Sequence, residues 1–324
     1  MHFIRIIVAS LVVLVTSLFA TSTAFAQDRF SEIAVDYSTG EILMGTNENE
    51  LRHPASLTKM MTLYLLFEAI ENDRVSLDTR ITVTRHAAQQ SPTRLGFRCA
   101  RRARTCGSLT VDTAINALVV LSANDVAVAV AEHLGRTESN FAQRMTNRAH
   151  DLGMMDTVFT NASGLPSARQ VTTARDMAVL GRRLIQDFPD LYQRFNTRSF
   201  TWGRRTIYGH NRVLDMLDGV DGIKTGYTRD SGFNLVSSAV RNDRRVVTVV
   251  LGGTTAAERD AQMVDLITRA FDQGAPANVG YPYIVTPVDR RYLDPLPIPG
   301  LPTRRPESEL QSEPPLTLGP VRRN

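Results

Sequence analysis

The sequence predicts an α+β fold, in which an antiparallel β-sheet is flanked by helices and joined to a helical subdomain. Three observations support this prediction. Apolar-rich runs at residues 32–36 and 41–45 flank a Ser-Thr-Gly turn, which indicates an N-terminal β-hairpin. Apolar residues then recur at helical spacing, and strand-like runs return after residue 198. We therefore expect strands from both ends of the region to form one sheet.

The elements follow from the spacing of the apolar residues, taken in chain order. Helical spacing predicts helices at residues 56–71, 110–121, 125–134, 139–152 and 173–186, and a closing helix at 256–272. Gly153 is a suitable C-terminal stop for the fourth of these helices. Strand-like runs predict strands at residues 198–202, 204–208, 222–228, 233–240 and 245–251.

The first 26 residues have the pattern of a secretory signal peptide. Residues 6–20 form an apolar run, and Ala24-Phe25-Ala26 provides the small-x-small pattern of a signal-peptidase site. The run is short for a bilayer span, so we expect cleavage after Ala26 and no integral membrane anchor afterwards. The pattern implies an exported, periplasmic protein, in which the close pair Cys99 and Cys106 is expected to form a disulfide.

The C-terminal residues 276–324 hold eleven of the fifteen prolines and show no apolar periodicity. We expect them to form an extended or disordered tail, which leaves residues 27–275 for the globular domain. The net charge is +4, but 33 acidic residues are interspersed among the basic ones and no nucleic-acid-binding signature is present. We therefore expect no nucleic-acid partner. The six histidines lack ligand spacing, so we expect neither a metal nor a cofactor.

Ser56 and Lys59 form the first of three motifs that carry chemistry. One helical turn separates them, so their side chains lie on one face of the predicted helix and can touch. A serine hydroxyl needs an adjacent base, and a desolvated lysine serves once its pKa falls. We interpret Ser56 as a nucleophile, Lys59 as its base and the Ser56 N–H as an oxyanion donor. The S-x-x-K pattern alone also recurs by chance on exposed helices.

Two further motifs supply polar groups. Ser122 and Asn124 lie between two predicted helices, where a hydroxyl and an amide could relay a proton and hold a peptide bond. Taken alone, an ordinary helix N-cap is the simpler interpretation of this pair. Lys224, Thr225 and Gly226 lie on a predicted strand, where they suit a carboxylate-bearing peptide along the strand edge. The alternative there is an ordinary exposed lysine.

Lysine usage helps to choose between these interpretations. Of the 37 Lys and Arg residues, only Lys59 and Lys224 are lysine, and the other 35 are arginine. Arginine cannot be deprotonated in proteins, so it could not act as the base beside Ser56. The two lysines are therefore interpreted as chemically required.

The three motifs, in this order, resemble the serine acyltransferase signature of penicillin-binding proteins and class A β-lactamases. The longer match is to the low-molecular-mass penicillin-binding proteins of the D-alanyl-D-alanine carboxypeptidase family, over roughly residues 30–273. It rests on HPASLTKMMT at 53–62, LSAND at 121–125, NASGL at 161–165, ARDMA at 174–178, DGIKTGYT at 221–228 and GFNL at 232–235. The resemblance implies a transpeptidase fold like that of penicillin-binding proteins and β-lactamases.

The resemblance also implies a serine D-Ala-D-Ala carboxypeptidase that acts on peptidoglycan stem peptides through a Ser56 acyl-enzyme and is trapped by β-lactam antibiotics. The resemblance implies that Ser122 and Lys224 transfer a proton to the leaving amine, and that the N–H groups of Ser56 and Tyr227 form an oxyanion hole. It also implies that Asn124 contacts the substrate amide. The substrate carboxylate would be contacted by Thr225 beside Gly226, by Arg212 and by Arg259. For the two arginines, a surface or structural salt bridge is an equally good interpretation.

Two features depart from the family pattern. Members commonly carry a second, β-rich domain and a C-terminal amphipathic anchor, and the proline-rich residues 276–324 stand in their place here. The loop at residues 98–106 is longer and more basic than the family pattern. It is interpreted either as a solvated surface loop or as a disulfide-held flap that attracts acidic peptide substrate.

Other functions are weighed against the carboxypeptidase. A DD-endopeptidase that cuts peptidoglycan cross-links would carry the same motifs, so it stays open. A β-lactamase is disfavoured because the E-x-x-L-N pattern, which supports fast deacylation, is absent. A non-catalytic peptidoglycan-binding protein is disfavoured because binding alone requires no nucleophile and base.

Overall fold

The computed structural model describes residues 29–273, and these residues adopt an α+β fold, as the sequence predicted. The predicted signal peptide at 1–26 and the predicted tail at 276–324 lie outside the described residues, as do both predicted boundaries of the globular domain. Within residues 29–273 no helix combines the length and the apolar character that crossing a membrane requires.

The elements are numbered in chain order. The strands are β1 (Ser31–Asp36), β2 (Ile42–Thr46), β3 (Arg80–Thr84), β4 (Thr105–Thr110), β5 (Ser199–Trp202), β6 (Arg205–Tyr208), β7 (Val220–Thr228), β8 (Gly232–Arg241) and β9 (Arg244–Gly253). The helices are α1 (Thr58–Glu71), α2 (Arg85–Ala88), α3 (Val111–Asn116), α4 (Asn124–Gly135), α5 (Glu138–Asp151), α6 (Ala174–Asp187), α7 (Pro189–Tyr192), α8 (Val213–Met216) and α9 (Ala256–Asp272).

A five-stranded antiparallel sheet in the order β2-β1-β9-β8-β7 forms the centre of the fold. Strand β1 pairs with β9, with Ile33 opposite Val249, so the N-terminal hairpin completes the sheet as predicted. Strand β7, which carries the Lys-Thr-Gly motif, lies at the opposite edge. An edge strand has backbone groups that no neighbouring strand pairs, so β7 can accept an extended peptide.

Both faces of this sheet are covered by helices. On β9, Val247 and Val249 belong to the larger apolar cluster with α1 and α6, whereas Val246 and Val250 belong to a second cluster with α9. Burial on both faces explains why β9 is an almost continuous apolar run and not a polar–apolar alternation.

Helix α1 lies within the larger cluster and positions the first motif. Twelve of its fourteen residues are buried, which is far more than the single face that a surface helix hides. A 3₁₀ turn at Ala55–Leu57 precedes it, so the observed helix starts two residues after the predicted start at residue 56. Ser56 therefore lies at the helix entrance, and Lys59 lies in the first turn with its whole side chain buried.

The two-stranded sheet of β3 and β4, in which Ile81 lies opposite Leu109, was not predicted from the sequence. Both strands are short, and the long segment between them contains no hairpin turn signal. The predicted helix at 110–121 starts at Val111 because Thr110 caps α3, with its hydroxyl accepting from the Thr113 N–H at 3.2 Å. A π-helical turn then extends α3 as far as residue 121, directly before Ser122.

Candidate active site

Ser56 and Lys59 are in contact. The Lys59 Nζ atom lies 3.1 Å from the Ser56 Oγ atom. The same nitrogen donates to Oδ1 of Asn124 at 2.8 Å and to the main-chain oxygen of Ser163 at 2.5 Å. The lysine is fully buried, whereas Ser56 is half-buried and so remains within reach of a substrate. The first predicted pair is thus assembled as expected from its helical spacing.

The surroundings of Lys59 favour its neutral form. Burial lowers the pKa of Lys59 well below its usual range, and the Lys224 ammonium lowers it further, while Asp125 opposes the shift. A neutral amine has two N–H groups and one lone pair. Because two carbonyl oxygens accept from the nitrogen, the lone pair is left for the Ser56 hydroxyl. The arrangement can therefore take a proton from the nucleophile.

The Ser163 carbonyl is a part of the site that the sequence analysis missed. Asn161 holds it in place, because its Oδ1 accepts from the N–H groups of Ser163 at 3.2 Å and Gly164 at 2.7 Å. The Thr62 hydroxyl donates to the neighbouring Ala162 carbonyl at 2.7 Å. A main-chain oxygen leaves no residue-type signal, so only the NASGL segment of the family resemblance pointed to this loop.

Asn124 contacts Lys59 from the start of α4, and Ser122 lies two residues before it, in the turn that precedes this helix. Ser122 has a left-handed backbone with φ of 62°, a conformation that is strained for a residue with a side chain. Its Oγ is buried and has no hydrogen-bond partner within the described residues. Asn124 bridges the site to the Ser91 carbonyl, to which its Nδ2 donates at 3.1 Å. Since Ala123 is the N-cap residue and no side chain caps α4, the N-cap interpretation of this motif is wrong.

Lys224 is buried on β7, so the alternative of an ordinary exposed lysine is also wrong. Its Nζ donates to the main-chain oxygen of Thr225 at 2.9 Å, and no carboxylate pairs with it within residues 29–273. Burial, with a smaller contribution from the nearby Arg259, lowers the pKa of Lys224 to about 7. The charge of this lysine is therefore expected to change close to neutral pH.

The two candidate arginines differ. Arg212 is exposed, has no ion-pair partner among the described residues, and lines a cavity of about 140 Å³ together with Thr225. Arg259 is buried, forms an ion pair with Asp260 at 2.8 Å and donates to the Asn234 carbonyl at 2.8 Å. Arg212 is thus available for an anion, whereas the polar groups of Arg259 are used within the protein.

Asn234 and Asp125 are two further positioning residues that the sequence analysis did not single out. Asn234 is fully buried, and its Nδ2 donates to the His53 carbonyl at 3.0 Å and to the Pro54 carbonyl at 3.2 Å. This contact fixes the chain just before Ser56 against the sheet. The Asp125 carboxylate accepts two main-chain N–H groups of the segment before the disulfide. Cys99 and Cys106 form that disulfide, as predicted.

Gly226 lets β7 approach the nucleophile turn. A Cβ at this position would lie 3.0 Å from the Ser56 amide nitrogen and 3.1 Å from that of Leu57. Tyr227 follows on the same edge strand, with its ring exposed and stacked on Phe233 at a centroid distance of 4.2 Å. The close approach brings the main chain of the third motif beside the main chain of the first.

Gly226→Ala is expected to slow about 10²-fold the acylation of Ser56 by penicillin that the family resemblance implies, because the added methyl group would force β7 away from Ser56. The rate of labelling with a fluorescent penicillin measures the effect. Gly45→Ala on β2 is the matched control, since its new Cβ would meet only the flexible Glu48 side chain. Equal labelling rates for the Gly226→Ala variant and the unmodified protein would contradict the described approach of β7.

The comparisons with known proteins agree with this geometry. A family model described as D-alanyl-D-alanine carboxypeptidase matches residues 19–255. The D-alanyl-D-alanine carboxypeptidase DacD of Escherichia coli is 37% identical over 73% of this chain and 61% of its own length. DacF of Bacillus subtilis is 30% identical over 78% of this chain and 64% of its own length. The chain thus spans less than two thirds of the length of these relatives.

Solved structures give the same result. The DacD carboxypeptidase of Francisella tularensis has a TM-score of 0.70 at 29% identity, with 74% of this chain and 70% of that chain covered. Penicillin-binding protein 6B of Escherichia coli has a TM-score of 0.67 at 36% identity, with 74% and 76% covered. Penicillin-binding protein D2 of Listeria monocytogenes, solved in an ampicillin-bound form, has a TM-score of 0.66 at 28% identity, with 74% and 96% covered. Because the family match covers most of the chain and the motif residues meet at one buried site, the chain belongs to the D-alanyl-D-alanine carboxypeptidase family of low-molecular-mass penicillin-binding proteins.

Proposed function

We propose that the protein is a serine D-Ala-D-Ala carboxypeptidase, which removes the terminal D-alanine from peptidoglycan stem peptides. The observation that carries this proposal is the contact of the buried Lys59 Nζ with the Ser56 Oγ atom at 3.1 Å. Binding alone would not require a neutralised lysine beside a serine hydroxyl. The family named by the comparisons supplies the substrate class.

In the first step, the Ser56 Oγ attacks the carbonyl carbon between the two D-alanines while its proton passes to the Lys59 amine. The resulting negative charge on the carbonyl oxygen is stabilised by main-chain N–H groups, for which we propose those of Ser56 and Tyr227. The position of Ser56 in the first turn of a helical segment supports this assignment, because such N–H groups lack partners in a preceding turn.

In the second step, the C–N bond breaks and the leaving amine takes a proton. Ser122 and Lys224 are the proposed donors, since the Ser122 hydroxyl has no other partner within the described residues and both side chains are buried. Water then hydrolyses the ester on Ser56. Asn124 has a second Nδ2 hydrogen beyond the one donated to Ser91, and we assign it to the substrate amide carbonyl.

The terminal carboxylate of the peptide is assigned to the cavity beside Thr225. Arg212, which lines this cavity with Thr225, and Lys224, which precedes Thr225 on β7, supply the positive charge, and the Thr225 hydroxyl supplies a hydrogen bond. Arg259 is assigned an indirect role, because its guanidinium is already bound to Asp260 and to the Asn234 carbonyl. Burial is the main cause of the low pKa of Lys224, and the positive charge of Arg259 lowers that pKa further.

β-Lactams are proposed to acylate Ser56 as the stem peptide does. The ampicillin-bound form of penicillin-binding protein D2 of Listeria monocytogenes supports this proposal. We also propose that the protein is exported to the periplasm. That proposal rests on the signal-peptide pattern at residues 1–26. We also propose that residues 27–275 form the catalytic domain. Its C-terminal boundary rests on the change to proline-rich composition at residues 276–324.

The direct test is digestion of purified peptidoglycan fragments, followed by mass spectrometry. The proposed function predicts that pentapeptide fragments lose one alanine while cross-linked dimers stay intact. Cleavage of the dimers without loss of alanine would contradict a carboxypeptidase and support the endopeptidase alternative. Absence of both products would contradict the catalytic proposal as a whole.

The rate constant for acylation by penicillin is expected to depend on pH with a fall on the alkaline side. The rate should rise as Lys59 loses its proton, and burial lowers the pKa of Lys59 well below the usual lysine range. It should fall as pH passes about 7, because Lys224 then loses the charge that attracts the carboxylate. In Lys224→Arg the maximal rate should be lower, because a guanidinium cannot give the leaving nitrogen the proton that is assigned to Lys224. The alkaline fall of the remaining rate should move to much higher pH, since a guanidinium stays charged. An alkaline limb at the same pH in both proteins would contradict this assignment.

A further inference from the structure

Four exposed arginines lie close together in one short loop, without an ion-pair partner among the described residues. Arg98, Arg101, Arg102 and Arg104 lie within the disulfide-closed segment 98–106, which we call the arginine loop. The chain has no Asp or Glu at residues 79–111. None of the four side chains has a hydrogen bond or an ion pair within residues 29–273. This run of charges of one sign distinguishes the loop from an ordinary solvated surface, where basic and acidic residues alternate.

The backbone of the arginine loop is fixed. The disulfide closes the loop, and the Arg85 guanidinium donates to the carbonyl oxygens of Ala100 at 2.8 Å and Ala103 at 2.9 Å. Before the loop, the Phe97 ring packs on Trp202 at a centroid distance of 5.5 Å. A charged surface on a fixed backbone loses less conformational entropy on binding than a loose one.

The segment just before the arginine loop is hydrogen-bonded to Asn124 and Asp125. The Asn124 main-chain N–H donates to the Thr93 carbonyl at 2.7 Å, and the Asp125 carboxylate accepts from the Gly96 N–H at 3.0 Å. Asn124 is also the partner of the catalytic lysine. Arg98 follows Gly96 by two residues, so it lies at most about 7 Å from this anchor. The segment that leads into the arginine loop is therefore fixed against Asn124, the residue that contacts Lys59.

We propose that the arginine loop is a second contact for the substrate polymer, which binds the carboxylates of neighbouring stem peptides while one stem peptide occupies the cleft. The inference rests on the proposed function. Every uncleaved stem peptide ends in a carboxylate, so a polymer that carries many of them presents repeated anions. Guanidinium groups bind carboxylates with two parallel hydrogen bonds. Engaging the cleft and the loop together raises affinity through the effective concentration of the second contact.

Sedimentation with purified peptidoglycan sacculi freed of phosphate polymers tests the contact, with full-length Ser56→Ala protein to prevent turnover. Arg101→Glu/Arg102→Glu in that background should weaken binding about three- to tenfold at low salt. The matched control is Arg136→Glu/Arg169→Glu, which makes the same change of charge at two exposed arginines without hydrogen bonds or ion pairs among the described residues. The control should stay within about twofold of the parent, since neither position belongs to the arginine loop.

Blocking the carboxyl groups of the sacculi by carbodiimide coupling to a neutral amine should remove the difference between the two pairs. The proposal would be overturned if the loop variant (Arg101→Glu/Arg102→Glu) and the control variant (Arg136→Glu/Arg169→Glu) lost sacculus binding equally. It would also be overturned if the loop variant lost none. A loop variant that loses binding to phosphatidylglycerol vesicles but not to sacculi would overturn it as well, because the loop would then bind a phosphate surface. Thermal unfolding checks the fold, and Arg101→Gln/Arg102→Gln replaces the glutamate pair if that pair unfolds early.

The proposed function is tested separately by release of D-alanine from a short soluble peptide by the unmodified protein. No release would overturn the carboxypeptidase assignment. Release from the short peptide, together with equal sacculus binding by the loop pair and the control pair, would overturn the second contact alone.

Discussion

Ser56→Ala is expected to lower the rate of D-alanine release by at least about 10⁴-fold and to abolish covalent labelling by penicillin. The reason is that the acyl bond forms on the Oγ atom that lies 3.1 Å from the Lys59 Nζ, and no acyl-enzyme can form there once this oxygen is removed. The measurement is a labelled-penicillin gel together with a D-alanine assay. Ser139→Ala, at an exposed serine of α5, is the control and should behave as the unmodified protein does. Persistent labelling of the Ser56→Ala variant would contradict the assignment of the nucleophile.

Lys59→Arg is expected to slow acylation by about 10³-fold, although it keeps a positive charge. Arginine cannot give up its proton at accessible pH, so it has no lone pair to receive the proton of Ser56. The guanidinium must also fit a fully buried site whose oxygen partners, Asn124 and Ser163, are arranged around one nitrogen atom.

The acylation rate of Lys59→Arg should be measured over a range of pH, together with the unfolding temperature. Because the arginine stays protonated at every accessible pH, raising the pH should not restore the rate. Acylation by this variant at the wild-type rate at neutral pH would show that Lys59 serves as a charge and not as a base. A variant that fails to acylate only because it is unfolded would be recognised by its unfolding temperature.

Much of the fold could be predicted from the spacing of apolar residues. The hairpin of β1 and β2, the helices α1, α4, α5, α6 and α9, and the strands β5 to β9 lie where the periodicity placed them, within a few residues. These elements bury at least one apolar face, which is the property that periodicity records. Strands β3 and β4 were missed because they are short and their pairing joins segments that are far apart in sequence.

The active site was predictable where it depends on side chains and obscure where it depends on the main chain or on tertiary contacts. The spacing of Ser56 and Lys59 on one helical face predicted their contact, and the rarity of lysine pointed to Lys224. The carbonyl of Ser163 carried no such signal. The ion pair of Arg259 with Asp260 was equally hidden, because adjacent helical residues do not normally face each other.

Ser56 is proposed to form the acyl-enzyme with Lys59 as its base, and peptide mapping identifies the residue that is acylated. The protein is treated with a labelled penicillin, digested, and the modified peptide is identified by mass spectrometry. We predict one adduct per chain, attached to Ser56 and absent from the Ser56→Ala variant. An adduct on any other residue, or none at all on the folded protein, would contradict the account.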